Sequence, residues 1–359
     1  MKSNFDFLNR YWPALAQIGA TAETYVYSDP NACIYKLGMF AERLVQEILA
    51  FEHIAEPAVD NTHANRIRIL KRAGLLPHEI DNTLYVLRKT RNSAVHTGTD
   101  SVDEAKTLLS LTYNLAVWFM ETYGDWGYIA PEFVMPSETT HEDLESVIAE
   151  QERKIEELTK QLAVVKTAAS GKTQKERAKR SESVSAMMNW NEAQTRCLID
   201  EQLRRSGWEA DTQNLRYSKG TRPVKGRNIA ISEWPTNSAF YKNGYADYAF
   251  FVGEKLVALM DAKKMSEDVA STIDVQVKDY AAHIKPEDIP HTVGNWNGYQ
   301  VPFLFASNGR AYLEQLRTKS GIWFLDVREQ ENQPYPIRNW FSPSDLMEKL
   351  GQNTAAANQ

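Results

Sequence analysis

Two acidic residues and a lysine fall where a short hairpin would gather them. The run Gly244-Tyr245-Ala246-Asp247-Tyr248-Ala249-Phe250-Phe251-Val252 leads into a turn at Gly253-Glu254-Lys255. The run Leu256-Val257-Ala258-Leu259-Met260-Asp261-Ala262-Lys263-Lys264 follows. Two apolar, aromatic-rich runs around a glycine-containing turn predict a β-hairpin with largely buried strands. Side chains alternate faces along a strand, so Asp261 and Lys263 project together while Ala262 points away; Asp247 on the partner strand can face the same cleft. Ionised groups beside a core need a reason to be there, because burying an unpaired charge is costly. A divalent cation is such a reason. Carboxylate oxygens suit Mg²⁺, which polarises a phosphate and supplies hydroxide, while a lysine orients the water or stabilises the developing negative charge. The chemistry that uses this set is phosphodiester hydrolysis. On these residues alone, the competing interpretation is a surface ion pair that ends a strand.

Two further groups belong to the elements around the hairpin. A helix expected from about Ser266 to Ile284 carries Gln276 and Tyr280, whose i, i+4 spacing puts amide and phenol on one face. Such a pair can position a substrate phosphate or a general-base water; otherwise these are ordinary polar residues of an amphipathic helix. The loop from Ser218 to Arg227 offers Lys219, Arg222, Lys225 and Arg227 as a phosphate-tracking patch beside the cleft, the alternative being a solvated loop. The element order is α/β. A helix over Glu192 to Ser206 comes first, then the basic loop, a strand near Ile229 to Trp234, the hairpin, the helix just described, and a buried strand over Val301 to Ala306.

The rest of the chain divides into zones. A length of 359 residues suggests two domains. Residues 1–138 show helical periodicity: Leu37, Phe40, Ala41, Leu44 and Ile48 in one helix, Leu108, Leu111, Leu115 and Phe119 in another, and a third over Ile80 to Val95. They form an all-α bundle. Residues 139–185 read as a helical linker with a heptad seam through Leu144, Ile148, Gln151, Ile155, Leu158, Leu162 and Val165, long enough only for a marginal coiled coil. The triplet Gly171-Lys172-Thr173 is not a phosphate loop, because the first glycine it requires would fall at Lys166. Residues 186–345 form the α/β domain, and 346–359 begin a connection to a further region. A net charge of −6 excludes a uniformly basic nucleic-acid binder, so DNA contact must come from local patches. Cys33 and Cys197 lack the spacing of a zinc cluster and suit a reducing compartment. With no signal peptide and no apolar run of membrane-spanning length, a cytoplasmic protein is expected.

The Asp247, Asp261, Ala262, Lys263 pattern resembles the PD-(D/E)xK nuclease motif, and the element order matches that fold. Several longer stretches carry a more specific resemblance: Cys197 to Trp208, Leu215 to Pro223, Ala246-Asp247-Tyr248 and Lys319 to Trp323, with Lys2 to Leu8 and Ala94-Val95-His96 near the start. Together they resemble the amino-terminal part of the R (HsdR) subunit of type I restriction enzymes, of the K-type branch. The resemblance implies that Asp247 and Asp261 bind metal, that Lys263 is the catalytic lysine, and that Gln276 and Tyr280 form an accessory motif. It implies Mg²⁺ as cofactor, double-stranded DNA as substrate, and methylation and specificity subunits as partners. It also implies ATP-driven motor domains that would lie beyond Gln359, so that this chain corresponds to an amino-terminal fragment. Most such relatives carry Glu at the position of Asp261. A glutamate from the first helix of the domain often completes the metal site, and Glu192 and Glu201 are both candidates.

A second resemblance competes. Arg91-Asn92-Ser93-Ala94-Val95-His96, at the end of a helix in a bundle, resembles the R-x4-H element of HEPN ribonucleases, in which Arg and His act on a scissile phosphate. The favoured expectation is an inactive, HEPN-like module with Arg91 and His96 in structural roles, serving to bind other subunits or DNA. The remaining alternative is a non-catalytic assembly module, in which the helical domain and coiled coil dock partners and the nuclease fold serves only as a DNA clamp.

Overall fold

A computed structural model describes every residue except 1–2, 57–58, 98–100, 139–143, 160–166, 189, 239–243, 266, 268, 313–316, 353 and 359. The chain divides into two compact units, Met1–Met188 and Asn189–Gln359.

The first unit is helical: α1 (Pro13–Tyr25), α2 (Pro30–Phe51), α3 (His63–Arg72), α4 (His78–Thr97), α5 (Val102–Phe119), α6 (Leu144–Thr159) and α7 (Gln174–Met187). Short polar side chains start several of them. Asp29, Thr62, Ser101 and Thr173 each accept a backbone N–H of the first turn of α2, α3, α5 and α7. The core stripe of α2 is the expected one, with Leu37, Phe40, Ala41, Leu44 and Ile48 fully buried. The segment expected to be a spacer packs into this unit instead. Ile155 of α6 is buried, Glu152 pairs with Lys36 at 2.6 Å, and Gln151 accepts from Thr24 at 3.4 Å. The described part of the seam therefore faces α1 and α2 of the same chain, which cover the apolar stripe that a second strand would otherwise cover; Leu162, Val165 and the side chain of Leu144 lie outside the described residues. In α7, Arg177 closes a buried ion pair with Glu52.

The second unit is a seven-stranded mixed sheet in sequential order. Its strands are β1 (Glu209–Ala210), β2 (Asn228–Pro235), β3 (Tyr245–Val252), β4 (Lys255–Ala262), β5 (Phe303–Ser307), β6 (Ile322–Asp326) and β7 (Tyr335–Pro336). Strands β2, β3 and β4 form an antiparallel meander. The β3–β4 turn is only Gly253-Glu254, with Gly253 at φ 59°, the left-handed value that glycine supplies cheaply. Strand β5 lies parallel to β4, which requires a crossover. The crossover contains α9 (Ala270–Thr272), a π-helical turn (Ile273–Val277) and α10 (Lys278–Ala282) in one continuous run. Helix α8 (Glu192–Arg205), with Leu203 and Ile199, packs on the sheet face of Tyr248, Phe250 and Met260. Ile273, Val277 and Ala281 cover the other face against Phe251, Leu259 and Leu304. Two short helices follow, α11 (Pro343–Lys349) and α12 (Thr354–Ala357). The segment 346–359 is expected to lead away, but its described residues fold back onto the domain: Leu346 and Ala357 join its core, and a Cβ at Gly253 would fall 2.4 Å from the Ala357 carbonyl oxygen.

Among the described residues, no helix is long and apolar enough to cross a membrane.

Candidate active site

The pairing of Tyr248 with Met260 fixes the hairpin register, and one step further along both strands sets Asp247 opposite Asp261. In an antiparallel ladder, directly opposed residues share a face. Both belong to the face covered by the crossover helix, and both are deeply buried, at 6% and 2% exposure. Strand β4 ends at Ala262, where the Lys263 N–H donates to Ser307 O at 2.8 Å; the lysine is thus anchored where the parallel strands β4 and β5 end together.

The crossover helix completes the cluster. Gln276 donates from Nε2 to Asp261 Oδ1 at 2.9 Å, and its Oε1 accepts from Lys263 Nζ at 2.9 Å. Its amide also reaches the Tyr280 hydroxyl at 2.7 Å. Lys263 Nζ also lies 2.6 Å from Asp261 Oδ2, an ion pair that holds the ammonium against the buried carboxylate. Asp247 Oδ2 accepts the Ala262 N–H at 2.6 Å, which fixes the carboxylate across the hairpin. Asp247, Asp261, Lys263, Gln276 and Tyr280 thus line one cleft of about 460 Å³.

The electrostatics reflect crowding. Burial, and then the charge of Asp261, push the Asp247 carboxyl well above the usual range, with Arg196 opposing them. Burial raises Asp261 as well, offset in part by Lys263. Burial works against the Lys263 ammonium, but its attraction to Asp261 outweighs this and the net shift is upward. Among the described residues, no group of three or more His, Cys, Asp or Glu side chains is arranged to hold a metal. Mg²⁺, however, is commonly held by one or two carboxylates with waters completing its shell. Two buried carboxylates crowded side by side in one cleft fit that cation.

The two glutamates left open by the sequence separate. Glu192, in the first turn of α8, lines the cleft and is half-exposed. Glu201 is buried against Arg204 and Arg205 and does not reach it. Sequence reasoning missed Arg196, which pairs with Asp247, Glu192 and Glu233. Its i, i+4 spacing from Glu192 was visible; nothing local showed that this turn of α8 meets β3.

The basic loop does not form one patch beside the cleft. All four cations are exposed and none lines the cleft. Arg222 stacks 3.7 Å above the Tyr217 ring, which packs edge-on against Trp234, the pairing partner of Ala246, and so this part stays near the Asp247 end of the sheet. Arg227 is paired with Glu209 and precedes Asn228, which pairs with Val252. That is five residues from Asp247 along β3, roughly 17 Å at the rise of a strand.

In the helical unit Arg91 lies against α2, paired with Glu42 at 2.6 Å and stacked on Tyr35. A Cβ at Gly38 would fall 2.4 Å from Arg91 Cδ, so the glycine makes room for that contact. The side chain of His96 lies outside the described residues.

Comparison with known proteins supports the resemblance read from the sequence. A family model described as the second domain of the type I restriction enzyme EcoKI endonuclease subunit matches residues 209–350. The EcoKI endonuclease subunit of Escherichia coli (strain K12) is 29% identical over 436 aligned positions, covering 100% of this chain. The chain spans 37% of the length of that relative. No solved structure matches the chain. Over these residues the chain is similar to type I restriction endonuclease subunits.

Proposed function

We propose that this chain carries the DNA-cleaving site of a type I restriction endonuclease subunit and hydrolyses phosphodiester bonds with Mg²⁺ in the cytoplasm. The observation that supports this most strongly is the convergence of Asp247, Asp261 and Lys263 in one cleft at the end of the hairpin. Asp247 and Asp261 would hold the metal, and Glu192 is a further carboxylate of the same cleft. The bound ion supplies Lewis acidity and a water of lowered pKa. The other roles fall to the chain itself. Lys263, kept cationic by Asp261, faces the scissile phosphate and stabilises its developing charge. Gln276 holds Lys263 and Asp261 in fixed relation, and Tyr280 orients the Gln276 amide. Lys219 and Arg222 track the DNA backbone.

In this proposal the helical unit is a docking module for the methylation and specificity subunits and not a ribonuclease, a view supported by the engagement of Arg91 with Glu42. ATP-driven translocation belongs to other parts of the longer subunit. Asp261→Ala in the complete enzyme tests the assignment. Plasmid cleavage should be lost while ATP turnover stays near wild type; retained cleavage, or an equal loss of ATP turnover, overturns it.

A further inference from the structure

From α8, Arg196 brings its guanidinium into direct contact with the hairpin carboxylate of Asp247. Its side chain is only 12% exposed, and it is shared among three acids on three elements. Nη2 meets Asp247 Oδ1 and lies 2.8 Å from Glu192 Oε1, while Nη1 lies 3.5 Å from Glu233 Oε1. Its buried Nε has no hydrogen-bond partner. The other oxygen of Asp247 is already engaged by the Ala262 N–H. One cation therefore covers the oxygen that a metal would need.

We propose that Arg196 is a built-in counter-cation of Asp247, a positioning residue that neutralises this carboxylate in the metal-free chain and must release Oδ1 before Asp247 can ligate a divalent ion. The proposal rests on the two-carboxylate metal site. Its physical basis is competition: a guanidinium and a divalent cation cannot share one carboxylate oxygen in a low-dielectric cleft without strong mutual repulsion. Release is feasible because Glu192 and Glu233 already hold the same guanidinium. Arg196 can leave Asp247 without becoming an unpaired buried charge, which would be costly.

The test compares Mn²⁺ binding by calorimetry at pH 8.5, and thermal unfolding in EDTA, for the wild-type chain, Arg196→Met and Asp247→Asn. Arg196→Met should melt lower in EDTA yet bind Mn²⁺ about tenfold more tightly, because the competing cation is gone. Asp247→Asn should lose binding. A residue with a purely structural role would weaken both properties together, so equal or weaker Mn²⁺ affinity in Arg196→Met overturns the proposal while leaving the metal site standing. Absence of Mn²⁺ binding by both wild type and Arg196→Met overturns the metal site, and the proposal with it. Should Arg196→Met fail to fold, Arg196→Lys keeps a cation with a poorer fork and is expected to fall between wild type and tenfold; affinity at or below wild type overturns the proposal in that variant too.

Discussion

In the helical unit, Arg66 and Arg91 both close on Glu42, at 3.0 and 2.6 Å, and Arg177 closes on Glu52 in the interior. In the α/β unit, Asp247, Asp261, Glu192 and Glu267 line an open cleft with Arg196, Lys263 and Lys264. Here the first unit ties Glu42 and Glu52 to arginines within the fold. The second leaves four acids against three cations at an opening, with the two central acids buried side by side. Charge that the fold itself settles is structural; charge gathered and left partly unsettled beside a cleft is available to a ligand. The same contrast separates the two nuclease resemblances of this chain, because Arg91 is held by Glu42 while Lys263 sits in the cleft.

The sharpest way to break the contrast is to remove Lys263. In the complete enzyme, Lys263→Ala should lower DNA cleavage by up to about 10³-fold, the upper scale of lost charge stabilisation in an active site, with ATP turnover preserved; supercoiled-plasmid assays read the loss. Gln276→Ala should cost less, about 10-fold to 100-fold, because it only holds Lys263 and Asp261 in register. Next in size is a structural loss in the helical unit. Arg177→Ala strands a buried Glu52 and should destabilise that unit by about 3 kcal/mol, read from its denaturant midpoint, without changing cleavage chemistry in molecules that remain folded.

A smaller effect concerns His63. Burial lowers its imidazole from the ordinary 6.5 to about 4, Glu42 opposes this, and Arg88, Arg91 and Arg66 add to it. Both ring nitrogens are buried without hydrogen-bond partners. Above pH 6.5 the ring is neutral in both states and its contribution is fully present. As pH falls from 6.5 towards 4, the unfolded chain takes up the proton first, so the helical unit loses stability, on the order of 2 kcal/mol. Chemical denaturation at stepped pH should show that slope, and His63→Leu should flatten it. The smallest expected effect is none: His96→Ala should leave RNA uncut, as in wild type, and DNA cleavage unchanged. RNA cleavage by the chain that vanishes in His96→Ala would put a second active centre in the helical unit.

The hairpin was legible because everything that defines it is local: alternation, aromatic content and a glycine at the turn. The same locality made Asp261 and Lys263 legible as a pair, and i, i+4 spacing did so for Gln276 and Tyr280. Strands β1 and β7, two residues each, leave no periodic trace. The heptad seam of α6 showed that one face is apolar, but a stripe does not say which helix covers it, and the cover proved to be its own bundle. Arg196 and Asp247 meet across 51 positions of chain, and no pattern along the sequence carries that information. Arg227 was misplaced for a related reason, since the composition of a loop does not say which end of a strand it flanks.

The π-helical turn at Ile273–Val277 acts as a spacer of fixed length. Val269, Ile273, Val277 and Ala281 all belong to the core, four residues apart. In a plain α-helix of 3.6 residues per turn, each such step would drift about 40° around the axis and carry the stripe off the sheet. The wider i→i+5 turn absorbs the drift in the segment that bears Gln276. This helix should therefore accept many changes of side chain but no change of length. Losing one residue between Ile273 and Gln276 would restore ordinary helical winding and swing the amide away from Asp261, so insertions and deletions here should be rarer than substitutions among functional descendants of this sequence.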